Sequence, residues 1–393
     1  YSWYLQSPEY RILVKNLTEA SFSERPSDKI GKTVAKILYG EISPYSATRL
    51  ERFAACAFAH FLQYGLKVTE RAEYEFRAMD MGNVMHMALE KFAAEVRKEG
   101  LDWAELTEEE RNRIIDSCLD QVSADYGNTI LKSSARNEYM IERTRRILRR
   151  TVWALQEQLK HGAFRPEGFE VRFQGGRIDR VDIMEEPENN RVYVKVIDYK
   201  TGNTSFDLLA LYHGLQLQLM VYLDGALQVE KRKYPDREIV PAGVFYYNVK
   251  DPMIQEKIHA DMESINEQML KKMKMNGLVQ ADDNMSTKID STMASIPVSL
   301  NRDGSFSKRS SVASRKQFDA LGAYVRRKIC DIRESILDGN AAVEPYELGK
   351  KNACTYCPYL TVCGFDRKIP GYEFHRLSSI EEDALWKKIM NFI

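Results

Sequence analysis

Apolar positions recur at helical spacing in the first 165 residues and alternate at strand spacing between about 165 and 250. Residues 1–40 are mixed, with a Pro- and Ser-containing piece (SFSERPSDKI) ahead of an apolar turn, KTVAKILYG. SPYSATRLERFAACAFAHFLQYGL then predicts one helix, capped by Ser46 or Thr48, with Leu50, Phe53, Ala54, Ala57, Phe58, Phe61 and Leu62 on its apolar side. A second helix starts around Met81 and runs through GNVMHMALEKFAAEVRKEG. Residues 103–165 read as helical throughout, with a capping box from Thr107 to Glu110. FRPEGFEVRF opens a β region, and the run GRIDRVDI…VYVKVIDYKTG predicts two strands joined by the polar turn EEPENN. HGLQLQLMVYLDGALQV predicts a helix on which Gly214, Gln218 and Tyr222 stack at four-residue spacing, and PAGVFYYNV a further strand. The order β-β-β-α-β describes a mixed sheet with a covering helix. From 251 to about 313 the pattern decays: one helix (QEKIHADMESINEQMLKKMKMNG) precedes Ser-, Asp- and Asn-rich sequence typical of an insertion. SRKQFDALGAYVRRKICDIRESILDGN predicts a last long helix, with Cys330 as a core cysteine.

Composition changes this picture little. The 393 residues are 44% hydrophobic and 29% charged, as in a soluble globular protein, and suit one large domain with insertions, or two. Lys+Arg and Asp+Glu are both 57, which does not support a strongly basic coat and leaves room for a local basic channel. No run approaches the roughly 18 apolar residues of a membrane span, and no signal peptide is visible, so no membrane association and a cytoplasmic location are expected. The first residue is Tyr1, which is expected of a processed or partial chain.

The candidate chemistry centres on the paired strands. They bring Asp179 and Asp198 to one edge of a sheet, and Lys200, two residues on, shares a face with Asp198. Two acids that hold a divalent cation, beside an ammonium that meets charge on phosphate oxygens, suit metal-assisted phosphodiester hydrolysis. Gly82, His86 and Glu90 lie four apart on one helix face, where a ligand or base role competes with ordinary packing. Arg145, Arg146, Arg149 and Arg150 read equally as a solvated helix face or as phosphate contacts. Cys354, Cys357 and Cys363 fall within ten residues in a turn-rich context, a pattern for thiolate ligation. Cys56, Cys118 and Cys330 are all open as a fourth ligand, and zinc and iron–sulfur both remain open.

These motifs, taken together, resemble the RecB-like nuclease domain found at the C-terminal end of AddB-type subunits of bacterial AddAB helicase–deoxyribonucleases, within the PD-(D/E)XK nucleases. The resemblance rests on SATRLERFAACAFAHFLQYGL, GNVMHMALE, FRPEGFEVRF, GRIDRVD, VIDYKTG, GLQLQLMVY and CTYCPYLTVCGFD, in that order. It implies a restriction-endonuclease-like α/β fold, a mixed sheet flanked by helices with large helical insertions and a cysteine-ligated cluster clamping the two ends. Residues 1–45 would lead in from preceding modules. The nuclease domain would be 46–393, with a helical part at 81–165, a catalytic core at 166–250, an insertion at 251–313 and a cluster-binding part at 314–393. It implies Mg²⁺ held by His86, Asp179 and Asp198, with Lys200 holding the attacking water. Glu170 would orient a metal-bound water or serve as a structural acid, and Gln218 and Tyr222 would orient Lys200 or contact the DNA backbone. A [4Fe–4S] cluster would be ligated by Cys56, Cys354, Cys357 and Cys363. The implied activity is a DNA exonuclease working beside an AddA-type helicase–nuclease subunit, in a heterodimer fed single strands from an unwound duplex end during double-strand-break repair. Two rivals stand against it: a free-standing, CRISPR-associated single-strand exonuclease of the same superfamily, and a DNA-binding or structural module with a decayed site. No G-x4-G-K-[ST] occurs, so this stretch offers no ATP site of its own.

Overall fold

Alternating apolar residues between 165 and 250 form the central sheet, seen in a computed structural model that describes residues 2–22, 29–40, 45–71, 78–126, 134–254, 261–369 and 371–392. β1 (Arg165–Phe173) and β2 (Gly176–Glu186) are antiparallel, and β2 pairs in turn with β3 (Arg191–Lys200). The polar turn between β2 and β3 is a single 3-10 turn, Pro187–Asn189, closed by Asn190 at φ 54, a left-handed conformation that Asn tolerates. β3 runs parallel to β4 (Glu238–Asn248), so the chain crosses over through the helices Leu208–Tyr212 and Gln218–Lys233. β5 (Asn276–Gln280) and the short β6 (Val312–Ala313) complete a six-stranded sheet in the order β1-β2-β3-β4-β5-β6. The expected mixed sheet flanked by helices is therefore present.

Three long helices, Ala78–Lys98, Glu108–Asp125 and Ala135–Lys160, form one core with the sheet: Phe92, Leu119, Leu148 and Leu155 are fully buried with Tyr193, Ile197 and Tyr247. Each such side chain removed from water contributes about 1.5–3 kcal/mol. The helix Gln218–Lys233 packs against β3 and β4. Thr107 and Glu110 form the anticipated capping box.

Several elements differ from the sequence expectation. The stretch 251–313 supplies two strands of the sheet: the helix is Met262–Lys272, and β5 begins at Asn276. Five residues are too few for periodicity to reveal a strand, and pairing with β4 is what fixes it. The part of the expected helix at 255–260 lies outside the described residues. KTVAKILYG is a helix, Lys32–Tyr39, instead of a turn. The stretch 103–165 is not helical throughout, since residues 103–107 are turn and loop and β1 begins at Arg165; residues 127–133 lie outside the described residues. Gly214 precedes the helix Gln218–Lys233 and sits at φ 81, so it does not stack with Gln218 and Tyr222. Cys330 is exposed, whereas Cys118 belongs to the core.

The chain divides into two compact units. One comprises Pro44–Thr48, Arg71–Lys328 and Ile380–Ile393 and holds the six-stranded sheet. The other gathers Tyr1–Ser43, Arg49–Glu70 and Ile329–Ser379, and has a three-stranded sheet of Tyr346–Leu348, Lys351–Asn352 and His375–Arg376. In this second unit the single helix expected over 46–66 is broken. Ala47–Ala55 ends at Cys56, which is extended (φ −167, ψ 116); Ala57–His60 follows and widens into a π-helix at Phe61–Gly65. The amide of Phe58, freed by the break, donates to the Ala342 carbonyl at 3.0 Å. Among the described residues, no helix is long and apolar enough to cross a membrane.

Candidate active site

The far end of the β2–β3 hairpin carries the chemistry. Arg180 pairs with Ile197, so the next step of the same register sets Asp179 across from Asp198. The register of β1 on β2 sets Glu170 across from Asp179, between the Phe169–Arg180 and Val171–Ile178 pairs. Glu170 has φ 50, a conformation that non-glycine residues adopt only when surrounding structure enforces it. The helix Ala78–Lys98 brings in His86, and the first turns of Gln218–Lys233 bring in Gln218 and Tyr222. With Lys200 at the end of β3, these seven line one cleft of about 890 Å³, together with Glu90 and Arg177.

Within the cleft, one donor atom each from His86, Glu170 and Asp179 lies within 4.8 Å of the others. Asp179 Oδ2 is 3.4 Å from His86 Nδ1 and accepts the Tyr199 backbone N–H at 2.8 Å. Burial, and then the charge of Asp198, push the Asp179 carboxyl well above the usual carboxylate range. Burial also raises Asp198, against the pull of Lys200. The His86 imidazole is lowered to about 4, by burial first and then by the Lys200 charge, so it is neutral at neutral pH with a lone pair to offer. Glu170 is raised by burial, against the opposing charge of Arg177, with which it forms an ion pair. Lys200 Nζ lies 2.6 Å from Asp198 Oδ2 and donates to Gln218 Oε1 at 2.7 Å, while Gln218 Nε2 donates to the Tyr222 hydroxyl at 2.9 Å. Lys200 is thus held in place by a chain of polar contacts.

Two carboxylates and a neutral imidazole converging at this range suit a hard divalent cation. The resemblance implies that role for His86, Asp179 and Asp198; the described residues group Glu170 with His86 and Asp179, and Asp198 lies against Lys200 in the same cleft. Gly82, His86 and Glu90 all line the cleft, so their four-residue stripe does face one site. A Cβ at Gly82 would come within 3.1 Å of the Thr201 hydroxyl, which is where close approach is needed. Asn83, Tyr126 and Arg177 were missed. Arg177 was two residues from Asp179 in the same strand pattern, whereas Tyr126 is distant in sequence and is held at the cleft by its hydroxyl, which donates to Asp80 at 2.8 Å and accepts from Asn83 at 3.3 Å. Three of the four arginines proposed for phosphate are committed to acids: Arg145 and Arg149 to Asp116, and Arg146 to Asp251 at 2.7 Å.

This hairpin, with acids at its open end and a lysine two residues beyond the second, agrees with what the sequence comparison finds. Residues 44–364 match the family described as the PD-(D/E)XK nuclease superfamily. The chain belongs to that superfamily. It is also similar to ATP-dependent helicase/deoxyribonuclease B subunits: 40% identical over 400 residues to that of Lachnoclostridium phytofermentans, covering 96% of this chain and 34% of that protein. The corresponding figures are 35% over 415 residues for Alkaliphilus metalliredigens, covering 99% and 36%, and 33% over 413 residues for Clostridium acetobutylicum, again 99% and 36%. The chain therefore spans about a third of the length of the curated relatives it matches.

The other unit holds a second constellation. Cys56, Cys354, Cys357 and Cys363 all line one small cavity of about 20 Å³, walled by Phe58, Tyr359 and Leu360. The extended backbone at Cys56 breaks the helix at the residue that lines this cavity. Asn352 Oδ1 accepts from the Cys354 and Thr355 amides at 3.0 Å, tying down the turn that presents the paired cysteines. Burial raises the Cys56 thiol and pushes Cys354 up to about 11, so both are protonated at neutral pH unless a cation replaces the proton. The four thiols share one cavity, but among the described residues they do not form a group close enough to hold an ion, as His86, Glu170 and Asp179 do, so the expected cysteine-ligated cluster clamping the two ends is not seen.

Proposed function

We propose that this chain is a metal-dependent deoxyribonuclease module, an exonuclease acting on single strands as a duplex end is unwound by a helicase partner. The observation that carries this reading is the convergence of His86, Glu170, Asp179, Asp198 and Lys200 in one cleft. The similarity to helicase/deoxyribonuclease B subunits supports DNA as substrate and an AddA-type heterodimer partner. The nuclease domain proposed is 46–393, with its catalytic core at 166–250 and its cysteine-bearing part at 314–393.

A Mg²⁺ ion, when bound, would supply positive charge to polarise the scissile phosphate and lower the pKa of the attacking water. His86, Glu170 and Asp179 would hold it, with Asp198 at the cleft wall as a further carboxylate. Lys200, fixed by Asp198 and Gln218, places its ammonium where negative charge grows on the phosphate oxygens, and needs no reorganisation to do so. Tyr222 keeps the Gln218 amide turned towards Lys200. In the other unit Cys56, Cys354, Cys357 and Cys363 would ligate a [4Fe–4S] cluster with a structural role.

The test is cleavage of end-labelled single-stranded DNA by the full chain and by Asp198→Ala, each with and without Mg²⁺. Loss of cutting on removing the metal, and a drop of at least about a hundredfold on removing the carboxylate, is expected. Metal-independent cutting, or an Asp198→Ala form as active as its parent, would sink the reading.

A further inference from the structure

Beyond the acids that hold a cation, the cleft is short of positive charge for a polyanion. Its lining includes four carboxylates, Glu90, Glu170, Asp179 and Asp198, against two cations, Lys200 and Arg177. Lys200 is engaged deep in the wall by Asp198 and Gln218. Arg177 is different: it pairs with Glu170, yet its side chain remains 57% exposed. It stands one residue from the turn that closes the β1–β2 hairpin, and the register sets Arg172, also exposed, directly across from it.

Two arginines facing each other across an antiparallel pair repel, with side chains roughly 5 Å apart at Cβ. Glu170 neutralises one of them, and among the described residues Arg172 has no ion pair. An anion lying over the pair would relieve that repulsion. The platform is also firmly placed. Phe173, next to Arg172, meets the Tyr222 ring edge-on at 5.9 Å and packs so closely on Gly225 that a Cβ there would come within 2.4 Å of its ring. The hairpin is therefore pinned to the helix that orients Lys200.

We propose that Arg177 and Arg172 form a phosphate track along the β1–β2 hairpin, leading the backbone of a single-stranded nucleic acid out of the cleft. The proposal rests on the nuclease reading above. Arg177 takes the phosphate beside the scissile one while Glu170 holds its guanidinium in orientation, and Arg172 takes the next phosphate outward. Both contacts are to backbone, so they carry affinity and register without base preference.

The experiment is the salt dependence of oligo-dT binding by the full chain carrying Asp198→Ala to stop cutting, with Arg172→Gln, Arg177→Gln or the exposed Arg302→Gln added. Cleavage by the otherwise unaltered chain is measured alongside. Each track variant should bind more weakly and lower the slope of log K against log salt by about 0.7, the value for one phosphate of a single strand, while Arg302→Gln leaves it unchanged. Arg172→Gln removes no described ion pair, so it carries the test even if Arg177→Gln fails to fold. Unchanged slopes in both track variants, with a parent that cuts, overturn the track and leave the nuclease reading standing. A parent that neither binds nor cuts overturns both.

Discussion

Asp179 shows how a single residue can be set against the fold that holds it. Burial and the facing Asp198 raise its carboxyl well above the ordinary 3.8, so the metal-free folded chain holds a proton there more tightly than the unfolded chain does. A carboxyl raised in this way contributes stability that is fully present below about its ordinary pKa and lost as pH rises through the folded value. Asp179→Asn keeps an oxygen to accept the Tyr199 amide and removes the charge. In metal-free buffer at pH 7 that variant should be more stable than its parent by about 0.5–2 kcal/mol, with the difference closing as pH falls towards 4. Thermal unfolding across that range checks it, and a variant less stable at pH 7 would contradict the account. The candidate residues Asp179, Asp198 and Lys200 were legible because strand alternation alone places them. The role of Glu170 was not: its left-handed φ and the register of β1 on β2 bring its carboxylate to His86 and Asp179, and neither leaves a periodic trace.

Among the elements, those with local signals were readable and those fixed by partners were not. The capping box at Thr107 and the hairpin turn before Asn190 are written in four or five consecutive residues. β5 and the break at Cys56 depend on hydrogen bonds to distant chain, to β4 and to Ala342. The helix Gln218–Lys233 starts later than its apolar pattern suggested, which puts Gln218 at the helix start with its amide on Lys200. Gly225 of this helix gives a prediction at the same scale. Gly225→Ala drives a methyl into Phe173, so it should destabilise the chain by about 1–3 kcal/mol despite the better helix propensity of Ala. Denaturant unfolding measures this, and a stabilised variant would show that the hairpin yields freely.

Over the whole molecule, the cysteine-bearing unit is assembled from three separated stretches of chain, Tyr1–Ser43, Arg49–Glu70 and Ile329–Ser379. Its local cluster of buried residues is small, built on Cys56, Ala59, Leu62 and Tyr359. A metal that ties Cys56 to the 354–363 group would close a long loop, and such a link stabilises the folded state strongly. Chain purified without oxygen should contain iron and visible absorbance, and Cys354→Ala should lose both and become readily cut by protease within this unit. Zinc in place of iron would overturn the cluster assignment, and unchanged protease resistance would overturn its structural role.

Sequence alone determined what local spacing can carry. It settled the helix-rich first part, the mixed sheet with its covering helix, the acids at the hairpin's end, the Lys two residues on, and the cysteines within one turn-rich segment. Tertiary structure decided which distant groups meet: Glu170 and Arg177 in the cleft, Cys56 with the C-terminal cysteines, β5 on β4, and the acids that claim Arg145, Arg146 and Arg149. The division has one cause. Periodicity reports which face of an element is apolar, whereas convergence of charged groups depends on register, strand pairing and burial, which are properties of the packed chain.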